Sequence, residues 1–287
     1  MLNTVLGMVR QAGWADLDRP FEKTIYLSQG ASLWFILSRE GKPETFVKFS
    51  RLGSLEVEAA RCALASATYP AHAPRFIGYR RQGNLHVLAS QAEQFRVVTA
   101  TMTESRGVAR AVRNGLIAYF ERQAQQATAP VRKPSTEWLE QVEAYYAAHE
   151  LAPVARRTLK EVRTRLGEWP ATSQHGDLVM NNLGLRPAGN LVIFDWEDFG
   201  AVALPGLDLF TLEFSLEHDA KLARAKGQVS HPEKILDLAA CCAAQNLSVG
   251  DYKGLRLAHA LAFLFIKRRY GPEIQGRLRD LIRILCA

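Results

Sequence analysis

The spacing of apolar residues changes once along this chain, and no other feature limits its fold as strongly. Up to about residue 90 the period is near two: "KTIYLS", "SLWFILS", "ETFVKFS", "RFIGYRR" and "NLHVLAS" are short, rich in β-branched and aromatic residues, and parted by "QG", "REGKP" and "RQG" turns. That pattern predicts a small antiparallel sheet. One helix interrupts it, from Leu55 to about Thr68, with Ser54 as its N-cap and Val57, Ala60 and Leu64 as its apolar stripe. From about residue 107 the period is helical in "VARAVRNGLIAYFERQAQQ", "TEWLEQVEAYYAAHE" and "PVARRTLKEVRTRLGEW", with the Pro-containing "ATAPVRKPS" between the first two. Helices resume over Pro232 to Asn246, capped by Ser230, and from about Tyr252 to the C-terminus. The prediction is an α+β chain with a β-rich part over 1–93 and a mainly helical part over 94–287.

Composition narrows the function classes. With 48% hydrophobic and 23% charged residues the chain has enough apolar surface for a folded core, so disorder is excluded. "LAHALAFLFI", Leu257 to Ile266, is far shorter than the roughly 20 residues that span a bilayer and runs into "KRR", so it reads as a buried helix. The N-terminus lacks the pattern of an export signal, and a cytoplasmic protein without stable membrane insertion is expected. Cys62, Cys241, Cys242 and Cys286 have neither metal-site spacing nor disulfide density and read as buried thiols. His72, His86, His149, His218, His231 and His259 lack metal-ligand spacing. The net charge of +7 is not gathered into basic runs interleaved with aromatics, which argues against nucleic acid as a partner.

One β-like segment interrupts the helical part. In "QHGDLVMNNLGLRPAGNLVIFDWEDFG", Gln174 to Gly200, the runs "NLGLR" and "NLVIFD" flank the turn "PAGN" as a hairpin would. Asp177 precedes the first run and Asp195 ends the second, so a hairpin brings the two ends close. Two carboxylates and an amide oxygen there offer hard ligands of the kind Mg²⁺ takes together with substrate phosphates. A carboxylate left off the metal can accept a proton from an attacking hydroxyl.

These residues carry a resemblance. "HGDLVMNN" matches the H-x-D-x-x-x-x-N catalytic loop of protein kinases, and "HGDL" with "FDWEDFGAVALPGLDLFTLEF" resembles more closely the aminoglycoside phosphotransferases and choline kinases. The resemblance covers residues 174 to 213 and, more weakly, the two-part order of the chain. It implies a protein-kinase-like two-lobe fold and transfer of a phosphoryl group from ATP or GTP, with Mg²⁺, to the hydroxyl of a small-molecule acceptor. By that resemblance Asp177 is the catalytic base or orienter of the hydroxyl, and Asn182 and Asp195 are metal ligands. His175 and Asp208 support the loop, and Glu197 adds to the metal shell or faces the acceptor. The same fold needs a strand lysine and a helix glutamate to hold phosphates, a place filled by Lys48 in "TFVKFS" and by Glu58, with Glu56 as the alternative. Gly30 and Ser32 in "LSQGASLWFIL" stand where a phosphate-covering loop belongs, and "LASQAEQF", Leu88 to Phe95, where a nucleotide base pairs with backbone. Met180 and Asn181 stand where the family usually has Pro-Gly or similarly small residues. That departure keeps a nucleotide-binding pseudokinase as one alternative, and a metal-assisted hydrolase using Asp177, Asp195 and Glu197 is another. Cationic acceptors in this family meet acidic pockets, for which Glu213, Glu217 and Asp219 are the available acids.

Overall fold

The structure, a computed structural model, describes residues 1–27, 32–128, 136–169, 172–227, 231–269 and 271–286. Gly30, the Ser230 cap and most of the "ATAPVRKPS" connection lie outside the described residues. The chain divides into two compact units, one of Met1–Arg96 with Gly184–Glu197, the other of Val97–Leu183 with Asp198–Ala287.

The first unit is built on a five-stranded antiparallel sheet of β1 (Glu22–Leu27), β2 (Ser32–Arg39), β3 (Lys42–Ser50), β4 (Phe76–Gln82) and β5 (Leu85–Gln91), in the order β1-β2-β3-β5-β4. All five predicted strands are present. The link from β2 to β3 places Glu40 and Gly41 at positive φ, as a tight hairpin connection requires. A helix the sequence reading did not pick out, α1 (Leu2–Gln11), covers one face of this sheet: Val5, Met8 and Val9 join Phe35, Leu37, Val47, Phe49, Val87 and Ala89 in one core. Ten residues at the very start of a chain offer few turns of periodicity, and the tertiary packing of its apolar face supplies what local propensity does not. Trp14, after this helix, lies so close to Gly78 of β4 that a Cβ there would meet its indole at 2.7 Å.

The other face carries α2 (Ser54–Thr68), and here two expectations are corrected. Ser54 is the first helical residue rather than the cap, since Gly53 holds the cap position and no side chain caps the end. The stripe of Val57, Ala60 and Leu64 faces solvent; Leu55 and Ala59 face the sheet, packing with Leu88, Phe46 and Phe76, and Ala65 is buried as well. Small residues let the helix approach the strands closely, and Glu58 shares that inward face at helical spacing. A search for the most apolar stripe misses a face that must also seat a charge.

The second unit is helical: α3 (Arg106–Thr128), α4 (Glu137–Tyr146), α5 (Ala152–Arg165), α6 (Leu207–Ala225), α7 (Leu238–Ala244), α8 (Val249–Gly254), α9 (Arg256–Ile266) and α10 (Pro272–Cys286). The continuous helix expected over Pro232 to Asn246 is instead a 3-10 turn, Pro232–Ile235, followed by α7. The chain leaves helical geometry at Leu236, and the Asp237 carboxylate accepts the Ala240 N–H to start a new helix. The C-terminal run is likewise divided, with Pro272 opening α10. Leu257 to Ile266 is the buried helix expected, within α9, and no helix among the described residues is long and apolar enough to cross a membrane. The cysteines are free; Cys241 and Cys242 are buried, Cys62 is half-buried, and Cys286 is exposed, against the expectation of four buried thiols.

The predicted hairpin forms as β7 (Leu183–Leu185) and β8 (Leu191–Ile193), and with β6 (Arg96–Val97) it makes a three-stranded sheet in the order β6-β7-β8. Residues 184–197, expected with the helical part, pack with the first unit. The Ile193 N–H donates to the His72 carbonyl at 2.7 Å, and the Phe95 and Phe194 rings stack with centroids 5.0 Å apart.

In the second unit His259 of α9 is fully buried and its Nε2 lies 2.7 Å from the Pro205 carbonyl, bracing the turn that opens α6. Burial, and then the nearby Arg256 charge, hold its pKa down at about 4. An unfolded histidine protonates near 6.5, so below that value the unfolded state takes up a proton that the folded state refuses. Stability is therefore expected to fall by about 1.4 kcal/mol per pH unit between about 6.5 and 4 on account of this residue alone. Urea denaturation of His259→Gln against the native chain at pH 7 and pH 5 checks it: the acid-dependent loss should shrink in the variant.

Candidate active site

In β3 the alternation of the strand sends Thr45, Val47 and Phe49 into the core beneath α1, and Phe46 and Lys48 toward α2. Glu58 meets Lys48 there. The Lys48 ammonium lies 2.8 Å from each Glu58 carboxylate oxygen and 3.4 Å from Glu197 Oε2, all three side chains being at least two-thirds buried. Glu56 is exposed, so the geometry selects Glu58 as the partner of Lys48. Burial alone would lower the Lys48 pKa, but the Glu58 carboxylate and its hydrogen bond, with Glu197 and Asp195, outweigh it and leave the pKa raised. Lys48 is a fixed cation. Glu58 is itself shifted up, by burial first and by the like charge of Glu197, so the pair owes its place to Lys48 rather than to any comfort of the carboxylate.

Asp195 follows β8 in the same unit, with φ of +67°, a left-handed conformation uncommon for a non-glycine residue. Its neighbours fix it there. Phe194 is stacked on Phe95, and Trp196 is stacked on Tyr69 at 5.5 Å and donates its indole N–H to the Ile193 carbonyl at 2.7 Å. The Glu197 carbonyl accepts from Arg61 of α2. The Asp195 side chain is left exposed, with its charge felt at Lys48. Glu93, in the "LASQAEQF" segment, is held by two hydrogen bonds to Arg186 of the hairpin, one of 2.5 Å and one of 3.0 Å. Ser32 is the first residue of β2.

The loop of the second unit is fixed from below by Asp208, at the start of α6 and fully buried. One of its oxygens accepts from the His175 N–H at 2.8 Å, the Tyr119 hydroxyl at 2.8 Å and the Gln123 amide at 2.6 Å. The other accepts from the Gly176 N–H at 2.9 Å. Thr211 and Ser215, on the same helix, bond to the Leu178 carbonyl and the Met180 N–H. Gly176 has φ of +86°, and a Cβ there would come within 3.0 Å of the Asp198 carbonyl, so the residue before Asp177 must be glycine. His175 is fully buried and its Nδ1 accepts the Asp177 N–H at 3.3 Å. Asn182 donates its amide N–H to the Asp177 carbonyl at 2.9 Å, so its amide oxygen is not the atom used in that bond. Met180 and Asn181 are accommodated: Met180 is buried in a 3-10 turn, Met180–Asn182, while Asn181 points to solvent.

A residue the sequence reading passed over completes this loop. Lys267 is buried, and its ammonium lies 2.5 Å from Asp177 Oδ2. In "KRR" after an apolar helix it looks like a polar terminator. Only the fold shows that α9 ends beside the loop. Among the described residues no cluster of three or more His, Cys, Asp or Glu is arranged to hold a metal ion.

No family model matches the chain, and no curated protein does. Solved structures do. A candidate aminoglycoside phosphotransferase from Ralstonia eutropha superposes with a TM-score of 0.62 at 14% identity, covering 98% of this chain and 94% of that one. The choline kinase LicA from Streptococcus pneumoniae gives a TM-score of 0.57 at 12% identity, covering 96% of each chain. The chain has the phosphotransferase fold. At this low identity the phosphotransferase fold is conveyed by architecture rather than by sequence. A third such structure, an aminoglycoside phosphotransferase in ternary complex with ADP and hygromycin B, covers 97% of each chain at 13% identity with a TM-score of 0.57.

Proposed function

We propose that the protein is a small-molecule phosphotransferase that moves the γ-phosphoryl group of ATP or GTP to an acceptor hydroxyl. The observation that carries this reading is the Lys48 ammonium held by Glu58 and Glu197, a fixed cation on a strand of a phosphotransferase fold. A hydrolase reading gives Lys48 no work. The relative crystallised with ADP and hygromycin B supports a nucleotide and an acceptor as the two substrates. Lys48, oriented by Glu58, contacts the nucleotide phosphates, and Asp177 orients the acceptor hydroxyl and receives its proton. As the acceptor oxygen bonds to the γ-phosphorus, the bond to the β,γ-bridging oxygen breaks and the nucleoside diphosphate leaves. Asn182 and Asp195, an amide oxygen and a carboxylate, are donors suited to Mg²⁺, which when bound neutralises phosphate charge. Catalysis on this reading comes mainly from positioning and charge neutralisation. A nucleoside triphosphate as donor favours a cytoplasmic location, the expectation drawn from the sequence.

Lys48→Met is expected to lower nucleotide-dependent turnover by about 10²-fold or more, the scale for removing one fixed charge donor from a transition state. Nucleoside diphosphate release over a broad panel of hydroxyl acceptors measures it, with Glu58→Gln giving a smaller loss. An unchanged rate in Lys48→Met, or no acceptor-dependent release by the native chain, overturns the reading.

A further inference from the structure

Of the three acids that a cationic acceptor would need, Glu213 and Asp219 already face groups within the second unit. Glu213 of α6 accepts the Tyr252 hydroxyl at 2.8 Å and faces Arg256 at 3.5 Å. Asp219 accepts the Ser215 hydroxyl at 3.4 Å, and burial first of all pushes its pKa up, against the pull of His218, Ser215 and Arg277. Glu217 is exposed to solvent. Asp208 is used by backbone and side-chain donors of the loop. Asp177 itself faces Lys267, with side-chain exposures of 10% and 4%, where solvent screens little. Lys267 cannot swing away freely: its ammonium lies over the Phe263 ring at 5.5 Å, one turn back along α9, and the residue is packed on all sides.

We propose, resting on the phosphotransferase reading above, that Lys267 is a positioning residue that cancels the charge of Asp177 and selects uncharged or anionic hydroxyl acceptors over cationic ones. A second positive charge brought to the Asp177 carboxylate meets the Lys267 ammonium as a like charge in a poorly screened place. A neutral polyol or sugar meets a carboxylate whose second oxygen is set by the ion pair. An anionic acceptor gains from the same ammonium. The inference reverses the charge preference that Glu213, Glu217 and Asp219 suggest when read as a string of acids.

The test measures nucleoside diphosphate release by the full chain with three size-matched sets of hydroxyl compounds: polyols and sugars, sugar acids, and amino alcohols with aminoglycosides. The best uncharged or anionic acceptor should exceed the best cationic one in kcat/KM by about tenfold or more, close to 1.4 kcal/mol. Lys267→Met should narrow that ratio and Lys267→Arg should keep it; a ratio between acceptors does not depend on how much of a variant is folded. Turnover that is equal across the sets, or best with cationic acceptors, overturns the charge argument and leaves the phosphotransferase reading standing. Absence of turnover with every set removes the phosphotransferase reading and this inference with it. A ratio unmoved by Lys267→Met overturns the assignment to Lys267; where that variant does not fold, Lys267→Gln, which also removes the charge, is measured in its place with the same two outcomes.

Discussion

Asp177→Asn is expected to reduce phosphoryl transfer by about 10²- to 10⁴-fold, the range for losing a positioned general base. The substitution keeps the shape of the side chain and removes its charge, so nucleotide binding should persist while turnover fails. It also leaves the Lys267 ammonium, buried against Asp177, facing a neutral amide. Breaking one side of a buried ion pair costs about 3–5 kcal/mol, so the single variant should be less stable as well as less active. The double variant Asp177→Asn with Lys267→Met separates the two effects: stability should return in large part, activity should not. Urea midpoints and diphosphate release, measured on the same preparations, check both. A single variant that keeps its rate would remove Asp177 from the chemistry.

Asp208→Ala should lower the stability of the second unit strongly. It would deprive the His175 and Gly176 N–H groups, the Tyr119 hydroxyl and the Gln123 amide of their common acceptor, all of them buried. Hydrogen bonds to a charged acceptor are worth roughly 1.5–3 kcal/mol each, but the four share one carboxylate and will not add. A loss of about 3–5 kcal/mol is expected, seen as a lower urea midpoint at unchanged slope. Tyr119→Phe, removing one donor, should cost about 1 kcal/mol. A loss under about 1 kcal/mol for Asp208→Ala would mean that the loop is held by its other bonds.

Period and spacing made much of this legible. The five strands of the first unit were legible as short runs of β-branched and aromatic residues parted by turns; β2 and β3 alternate in burial, whereas β5, inside the sheet, is buried at five consecutive positions. The loop motif was legible because Gly176, Asp177 and Asn182 are bound by local backbone geometry, which fixes residue type at fixed offsets; Asp208, more than 30 positions on, was reached through the resemblance of the longer segment. Three things were not legible, for different reasons. The inward face of α2 is chosen by what it packs against, so Glu58 and Ala59 turn inward while Val57 and Leu64 face water. The run Pro232 to Asn246 has helical composition throughout, but Asp237 offers a cap that ends one segment and starts another. Lys267 lies 90 positions from Asp177 in sequence and is joined to it only by the packing of the second unit. Its neighbours in sequence, an apolar helix and two arginines, give no sign of a buried charge.

The division of the chain has a consequence for the order in which it is made. The first unit needs residues 184–197 as well as 1–96. On the ribosome the N-terminal sheet emerges early, but the His72 carbonyl, the Phe95 ring and the Glu93 carboxylate wait for partners on Ile193, Phe194 and Arg186. At about 5–20 residues per second, roughly 90 intervening residues take some seconds to deliver. During that interval the first unit is an unfinished body with buried-to-be surface still open, and a nascent chain halted before residue 184 is expected to be a better target for chaperones and proteases than one halted after residue 197.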